Sequence, residues 1–218
     1  EEKYMYQNGM KRVIDLIIAV IALPFLLVIM AIIAPIIFFN DKGPIFYNAN
    51  RLGKNGKPFK MYKFRSMMVN APDIRNADGS TYNGDDDPRV TKMGKFMRKT
   101  SIDELPQLLN VLNGTMSLIG PRPDPLDDMD IYTEHQKLKL RVRPGITGYN
   151  QAYYRNSVEQ DKKFENDVFY AEHVSFLLDV KIFFKTIKTI LQKDNVYNDA
   201  SNLNEDEKKK IEQLKVKQ

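Results

Sequence analysis

The sequence predicts a mainly helical α+β protein: a compact cytosolic domain with a small β-hairpin, held at a membrane. Three observations predict this class. Residues 16–39 form one apolar run without a charged or hydrogen-bonding side chain. Two short stretches flank a glycine-punctuated turn at residues 51–58, as in a β-hairpin. The other apolar residues recur mostly at helical spacing, and residues 176–193 form an amphipathic segment of the kind that lies in a membrane interface.

Composition limits the classes of function. With 218 residues and 25.3 kDa, the chain is long enough for one domain with a sizeable core. It has no cysteine, which excludes disulfides, thiol chemistry and cysteine-ligated metals, and its two histidines argue against a histidine-rich metal site. The net charge of +5 favours anionic partners such as phosphorylated molecules or anionic lipid. No nucleic-acid-binding motif is present, so no nucleic acid partner is expected.

The apolar run is long enough to enter a bilayer. As a straight helix it would measure about 36 Å, against about 30 Å for the hydrocarbon core. It is too long for a signal peptide and lacks a cleavage site. Pro24 lies inside it and should bend it. Both flanks are basic, and the positive-inside rule would keep both ends on the cytoplasmic side. The residues leave open a single crossing or a re-entrant helix that dips into one leaflet.

Charged residues mark the entrance of this run. Lys11 and Arg12 precede it, and Asp15 lies one turn after Lys11. Asp15 is therefore expected to pair with Lys11 or Arg12 at the level of the lipid headgroups.

The hairpin follows the apolar run. Residues 45–47 and 59–67 are predicted strands. Lys63 and Arg65 share one strand face, where they either bind phosphate or form a solvated or headgroup-facing edge. The polar residues 70–89 form a predicted surface loop, with a substrate lid as the alternative. The acidic run at 85–87 lacks the spaced ligands of a calcium loop.

The central stretch, residues 98–123, carries the candidate chemistry. Thr100 and Ser101 are capping candidates, and Asp103 and Glu104 follow at the positive end of a predicted helix. Leucines at helical spacing give that helix a buried side, and a loop returns to Pro121-Arg122-Pro123. Two adjacent carboxylates between arginines could hold an anionic substrate, a divalent cation or both. The alternative is an ordinary capped helix with solvated acids.

The rest of the chain is predicted to be largely helical. Residues 127–143 and 162–173 are predicted helices, separated by a turn at 143–148. That turn either offers backbone N–H groups to a phosphate or is only a tight corner. In the amphipathic segment, three lysines share one face, so it either lies in the membrane interface or packs on the domain. Residues 195–218 are predicted to be a solvated helix or a frayed tail.

The ordered segments together resemble a known family. They are KRVID with Pro24, GPIFY, RLGKNGKPFKMYKFRSM, DPRVTKMGKFMRKTSIDELPQLLNVLNGTMSLIGPRP, RPGITGYNQ and SFLLDVKI. Apart from its two ends, the chain resembles the bacterial sugar transferases, the monotopic polyprenyl-phosphate phosphoglycosyl transferases. The resemblance implies three parts: a re-entrant membrane helix (1–40), a cytosolic transferase domain (41–194) and a charged tail or helix (195–218).

The resemblance implies an enzyme on the cytoplasmic face of the bacterial inner membrane. Such an enzyme moves a phospho-sugar from a UDP-sugar to polyprenyl (undecaprenyl) phosphate and releases UMP, in the first membrane step of surface-glycan assembly. The first helix of the family re-emerges on the side it entered, with a break matching Pro24, which favours the re-entrant form. The chain departs from the family pattern at Leu23, where relatives often carry serine, in the loop 70–87 and in the tail.

The resemblance also implies the site. Asp103 would be the nucleophile, and Glu104 together with Asp103 would hold the expected cofactor, Mg²⁺. Arg98 and Arg122 are the expected phosphate clamps, because a guanidinium matches phosphate oxygens. The other expected substrate-binding residues are Pro121, Pro123, Lys63, Arg65 and Arg143.

Two alternatives accompany this interpretation: direct attack by the lipid phosphate on the donor, and a non-catalytic membrane scaffold. The sugar is open, with selectivity expected in residues 70–87 and 153–156. A homodimer is open as well.

Overall fold

In a computed structural model, the structure describes residues 5–76, 81–84, 86–155, 157–192, 203 and 205–216. A π-helical turn, Tyr6–Met10, leads into the first helix. The helices are α1 (Lys11–Asp41), α2 (Lys92–Thr100), α3 (Gln107–Leu112), α4 (Tyr149–Tyr153), α5 (Gln160–Glu172), α6 (Phe176–Gln192) and α7 (Glu205–Val216). The strands are β1 (Phe46–Leu52), β2 (Pro58–Phe64), β3 (Ser117–Ile119) and β4 (Gly145–Thr147). The prediction of a mainly helical protein with a small hairpin is confirmed.

Within the described residues, α1 is the one helix long and apolar enough to cross a membrane. Its residues Lys11–Asn40 have a mean hydropathy of 3.3 in their most apolar window. The helix continues through Pro24 and a second proline, Pro35. The bend at Pro24 and the re-entrant path stay predictions.

One face of α1 packs against the domain and the other does not. Ala19 and Leu26 lie in a core cluster with residues of β2 and α3, and Ile33 and Ile37 pack further along. The opposite face exposes large apolar side chains, among them Ile21 (64%), Phe25 (69%), Val28 (62%) and Ile32 (59%). An exposed apolar surface of this extent is typical of a membrane or protein contact.

The predicted pairing of Asp15 is wrong. Asp15 is buried, and its carboxylate accepts hydrogen bonds from Ser117 Oγ (2.7 Å) and the backbone N–H of Leu118 (3.1 Å). A buried carboxylate needs donors, and the start of β3 supplies them. Arg12 instead donates to the carbonyl oxygen of Val111 (2.6 Å), at the end of α3.

Lys11 also pairs with a residue distant in sequence: its Nζ lies 2.5 Å from Oδ2 of Asp179 in α6. The same carboxylate accepts hydrogen bonds from the hydroxyls of Tyr6 (2.6 Å) and Tyr170 (2.7 Å). This cluster joins the start of α1 to α5 and α6, so the N-terminal end of α1 is fixed to the domain.

The hairpin is confirmed, with shifted boundaries. Strands β1 and β2 pair antiparallel, with Phe46 opposite Phe64 and Leu52 opposite Pro58. The connecting turn needs left-handed backbone at Asn55 (φ 58°) and Gly56 (φ 72°), which asparagine and glycine adopt readily.

A second, parallel pair of short strands, β3 and β4, was not predicted. Because of this pairing, residues 143–148 form the tight corner that was one of the two predicted alternatives. The N–H of Gly145 donates to the carbonyl of Pro121 (2.9 Å), and that of Gly120 donates to Thr147 (2.9 Å). A Cβ on Gly145 would lie 2.1 Å from the nitrogen of Gly120, so glycine is required there. These two N–H groups are therefore already bonded within the protein.

The predicted helix 127–143 is wrong. Two 3₁₀ segments, Leu126–Asp130 and Gln136–Arg141, take its place. Between them, the N–H of Thr133 donates to the side chain of Gln136 and the N–H of Gln136 donates to the hydroxyl of Thr133, both at 3.1 Å. This reciprocal pair is a capping box, which begins a new helical turn and breaks the old one.

The predicted amphipathic segment is a helix, α6. It packs inward through Asp179, Ile182 and Thr189, while Phe184 (64%) and Leu191 (76%) are exposed. The helix is therefore packed on the domain along one face only, and its position in a membrane interface stays a prediction.

The loop 70–89 and the C-terminal segment meet. Ile74 and Tyr82 of the loop share a small core with Leu203 and Ile211, and α7 contributes an ion pair from Lys215 to Asp86. Of the predicted loop and tail, residues 77–80, 85, 195–202, 204 and 217–218 lie outside the described residues. The three-part division of the chain stays a prediction.

Candidate active site

The candidate dyad, Asp103 and Glu104, lies in the turn between α2 and α3. Helix α2 ends at Thr100, and the next residue, Ser101, adopts a left-handed conformation (φ 59°). The backbone N–H of Ser101 donates a hydrogen bond to the carbonyl of Arg98. Asp103 and Glu104 then fall in a 3₁₀ turn, Ile102–Glu104, rather than in the first turn of a helix. A helical turn does begin after Ser101, one of the two predicted capping residues, but it is a 3₁₀ turn and the Ser101 side chain makes no capping hydrogen bond. Ser101 also closes α2. The two carboxylates are presented by a turn that α2 and α3 hold on either side.

Both carboxylates of the dyad contact one lysine. Lys63 Nζ lies 3.0 Å from Asp103 Oδ2 and 3.2 Å from Glu104 Oε1. The side chain of Asp103 is 3% exposed, whereas that of Glu104 is 23% exposed. The arrangement pairs a nearly buried carboxylate with a half-buried one around a shared positive charge.

The charges around Glu104 keep it ionised. Burial acts to raise the pKa of Glu104, but the positive charges of Lys63 and Arg122 outweigh it, with help from the Lys63 hydrogen bond, so the pKa lies below its usual range. Arg155 adds a further positive charge in the same direction. Glu104 is therefore an anion at neutral pH.

Lys63 reaches the dyad because β2 is tied to α3. Asn110 is fully buried; its amide donates to the carbonyl of Lys60 (2.8 Å) and its oxygen accepts from the N–H of Tyr62 (2.9 Å). These two bonds fix the part of β2 that directly precedes Lys63.

Arg122 is the predicted clamp that lies against the dyad. Its Nη1 is 3.7 Å from Glu104 Oε1, and its side chain is 53% exposed. Pro121 and Pro123, on either side, are buried, so the turn holds the backbone while the guanidinium faces outward. Arg155 was not predicted individually; it falls in the 153–156 stretch assigned to sugar selectivity and adopts a left-handed backbone (φ 49°). Asn156 lies outside the described residues.

Arg98, the other predicted clamp, is held by the loop that follows the hairpin. Its Nε donates to Ser66 Oγ (3.0 Å) and its Nη1 donates to Asn83 Oδ1 (2.7 Å). Asn83 lies in the loop expected to select the sugar, so that loop touches a predicted phosphate-binding residue.

Arg65 and Arg143 have contacts away from the dyad. Arg65 is buried and donates to the carbonyls of Pro44 (2.6 Å) and Met67 (3.1 Å). Arg143 donates to the carbonyl of Gly114 (2.9 Å), close to the end of α3. Cations at a helix C-terminus complement its dipole, which gives Arg143 a structural role there. Their predicted contact with substrate stays a prediction.

The dyad offers oxygen ligands to a metal. Within the described ranges, acidic and histidine side chains do not gather in groups of three or more that could hold a metal ion. Mg²⁺ needs only one or two carboxylates when substrate phosphates complete its ligands. Asp103 and Glu104 both reach one cation, Lys63 Nζ, and Glu104 is ionised. The residues present therefore fit Mg²⁺.

Comparisons with known proteins agree on one family, the bacterial sugar transferases. The model of the family described as bacterial sugar transferase matches residues 6–193. The chain is 42% identical over 187 residues to an uncharacterized sugar transferase, EpsL, of Bacillus subtilis (strain 168), covering 86% of this chain and 90% of that protein.

Two further relatives have more specific names. The chain is 42% identical over 187 residues to the UDP-N-acetylgalactosamine-undecaprenyl-phosphate N-acetylgalactosaminephosphotransferase of Aeromonas hydrophila, covering 83% of this chain and 43% of that protein. It is 36% identical over 205 residues to the undecaprenyl-phosphate galactose phosphotransferase of Salmonella typhimurium (strain LT2), covering 86% of this chain and 42% of that protein. The chain thus spans less than half the length of these two relatives.

Proposed function

The chain belongs to the bacterial sugar transferase family and is a transferase; from that premise we propose that it moves a phospho-sugar from a UDP-sugar to polyprenyl phosphate, releasing UMP. The observation that carries this proposal is the Asp103–Glu104 pair, with Lys63 in contact with both carboxylates and Arg122 beside Glu104. The names of two relatives contain undecaprenyl phosphate and a sugar phosphotransferase activity, which supports lipid-linked sugar transfer.

The first step forms a covalent intermediate. A carboxylate oxygen of Asp103 attacks the β-phosphorus of the donor, and the bond from that phosphorus to the oxygen bridging the two phosphates breaks. UMP leaves with that oxygen, and the phospho-sugar stays on Asp103 as an acyl phosphate. Splitting a transfer in two through a carboxylate is an established strategy. The near-complete burial of Asp103 removes competing water from the nucleophile.

The second step restores the enzyme. A phosphate oxygen of the polyprenyl phosphate attacks the same phosphorus, the bond to Asp103 breaks, and polyprenyl-diphosphate sugar leaves. Phosphoryl transfer depends mainly on positioning and on neutralising spread negative charge. Lys63 and Arg122 supply positive charge next to the dyad, and Arg98 is expected to bind a donor phosphate. Glu104 and Asp103 would hold Mg²⁺, which neutralises charge on the diphosphate when it is bound.

We further propose that α1 is re-entrant and that the domain sits on the cytoplasmic face. The packed face of α1 supports this placement. Contacts with the domain extend from Asp15 to Ile37, over about 33 Å of helix at 1.5 Å per residue. A helix that crossed straight to the far side would carry β2 and α3 into the lipid with it. The exposed apolar faces of α1 and α6 are then the surfaces in contact with lipid.

The direct test is UMP release from a panel of UDP-sugars with Mg²⁺, measured both with and without polyprenyl phosphate. We expect release with at least one donor and formation of lipid-linked product. Binding of donor and lipid without any release would favour the membrane scaffold and contradict the proposal. Release that strictly requires the lipid acceptor would favour direct attack.

Membrane topology is tested with single cysteines, since the chain has none of its own. Met5→Cys and Lys42→Cys place thiols at exposed positions on the two ends of α1. Both are expected to react with a membrane-impermeant maleimide only from the cytoplasmic side. Labelling from opposite sides would show a single crossing instead.

A further inference from the structure

One buried lysine lies beneath the turn that carries Arg122. Lys139 is 2% exposed, and its Nζ is 2.6 Å from Asp167 Oδ2 and in contact with Asp124 Oδ2. The hydroxyl of Tyr132 donates to the same oxygen of Asp124 at 2.6 Å. The cluster of Lys139, Asp124, Asp167 and Tyr132 is called the lysine cluster below.

Burying the charges of the lysine cluster carries a desolvation cost. The carboxylates of Asp124 and Asp167 share the one ammonium group of Lys139. Burial raises the pKa of Asp167 to about 6, with Asp124 adding to the shift and Lys139 opposing it. Asp167 Oδ1 is buried without a hydrogen-bond partner. Apolar replacements of buried ion clusters are often neutral or stabilising, so these charges are not required for stability as such.

The cluster fixes the end of the turn at residues 121–124. Asp124 follows Pro123 directly, and its carbonyl accepts a hydrogen bond from the N–H of Leu52 (2.9 Å). At the other end of the turn, the carbonyl of Pro121 accepts from the N–H of Gly145 (2.9 Å). Arg122 lies between these two fixed points, with its guanidinium 3.7 Å from Glu104.

We propose that Lys139 is a positioning residue for Arg122. By binding Asp124, it holds the turn so that the guanidinium of Arg122 stays beside Glu104, where the diphosphate of the donor binds. This inference rests on the proposed function. Lys139 itself is buried under the turn and does not touch the substrate; it acts through Arg122.

The test is a double-mutant cycle on donor kinetics. Lys139→Met keeps an unbranched side chain, one atom shorter than lysine, and removes its charge. In the wild-type background we expect it to lower kcat/KM for the UDP-sugar about 10-fold, mainly through KM, because a displaced Arg122 binds the donor less well. In an Arg122→Ala background the same change should alter kcat/KM by less than about 2-fold, because no guanidinium remains to be positioned.

A second buried ion pair supplies the control. Lys11→Met breaks the contact with Asp179, which does not reach the turn. Its effect on kcat/KM is expected to be the same factor in both backgrounds. Melting temperatures identify variants that fail to fold; if Lys139→Met fails, Asp124→Asn, which keeps the volume and the acceptor for Tyr132, takes its place in the cycle.

The outcomes separate the two claims. Equal factors for Lys139→Met, or for its substitute, in both backgrounds would overturn the positioning role and leave the proposed function standing. Arg122→Ala with an unchanged KM for the donor would do the same. A wild-type protein that releases no UMP from any donor overturns the proposed function, and the inference with it, before any variant is compared.

Discussion

Asp103→Asn is expected to lower UMP release about 10³-fold or more while the protein stays folded. An amide oxygen is a far weaker nucleophile than a carboxylate oxygen and cannot form the acyl phosphate. The substitution changes no side-chain volume, and the amide oxygen can still accept a hydrogen bond from Lys63, so the turn between α2 and α3 should persist. The measurement is initial UMP release at saturating donor and Mg²⁺.

A matched control is Asp130→Asn, which makes the same chemical change at an exposed position. It should leave UMP release unchanged. An Asp103→Asn variant with near wild-type turnover would exclude Asp103 as the nucleophile, whatever the fold.

Lys63→Met is the second large expected effect. It removes the positive charge that contacts both carboxylates, and we expect kcat to fall about 100-fold, as for the loss of one charge-stabilising donor. It should also move the acid limb of the pH profile. Lys63 now holds the pKa of Glu104 below its usual range; without it, the effect of burial is less opposed, so that pKa rises. Glu104 is then protonated at a higher pH, and activity is lost at a higher pH.

Lys60→Met is the control for this prediction, since Lys60 lies on the same strand with an exposed side chain. It should change neither kcat nor the acid limb. An acid limb of Lys63→Met that coincides with that of the wild type would show that the ionisation of Glu104 does not limit activity.

The parts of the fold with local signals were predictable. The hairpin has alternating residues and a glycine turn, and α6 has an uninterrupted amphipathic pattern, so each carries its own evidence. Strands β3 and β4 carry no such local signal, because three-residue strands show no alternation. Their pairing also joins segments that lie far apart in sequence. The false helix at 127–143 had a visible warning: Thr133 and Gln136 stand at capping-box spacing within it.

The site was predictable in its residues more than in its contacts. Charge and the family resemblance pointed to the dyad, to Lys63 and to Arg122, and the structure brings these four together. That one lysine contacts both carboxylates depends on Asn110 tying β2 to α3, a tertiary contact that no local pattern records.

The same limit explains why the partners of several charged residues were not predicted correctly. Asp15 and Lys11 were paired with neighbours along a helix, yet each is bound by a residue more than a hundred positions away. Arg155 has a backbone conformation and a position near Glu104 that appear only in the folded chain.

The central claim is the bond between Asp103 and the phospho-sugar, and intact mass spectrometry tests it most directly. The purified protein is mixed with an accepted UDP-sugar and Mg²⁺, without lipid acceptor, and quenched in acid. The account predicts a species heavier by one phospho-sugar, which disappears when polyprenyl phosphate is added and never forms with Asp103→Asn. An enzyme that turns over in the full reaction but shows no such species without acceptor would contradict it.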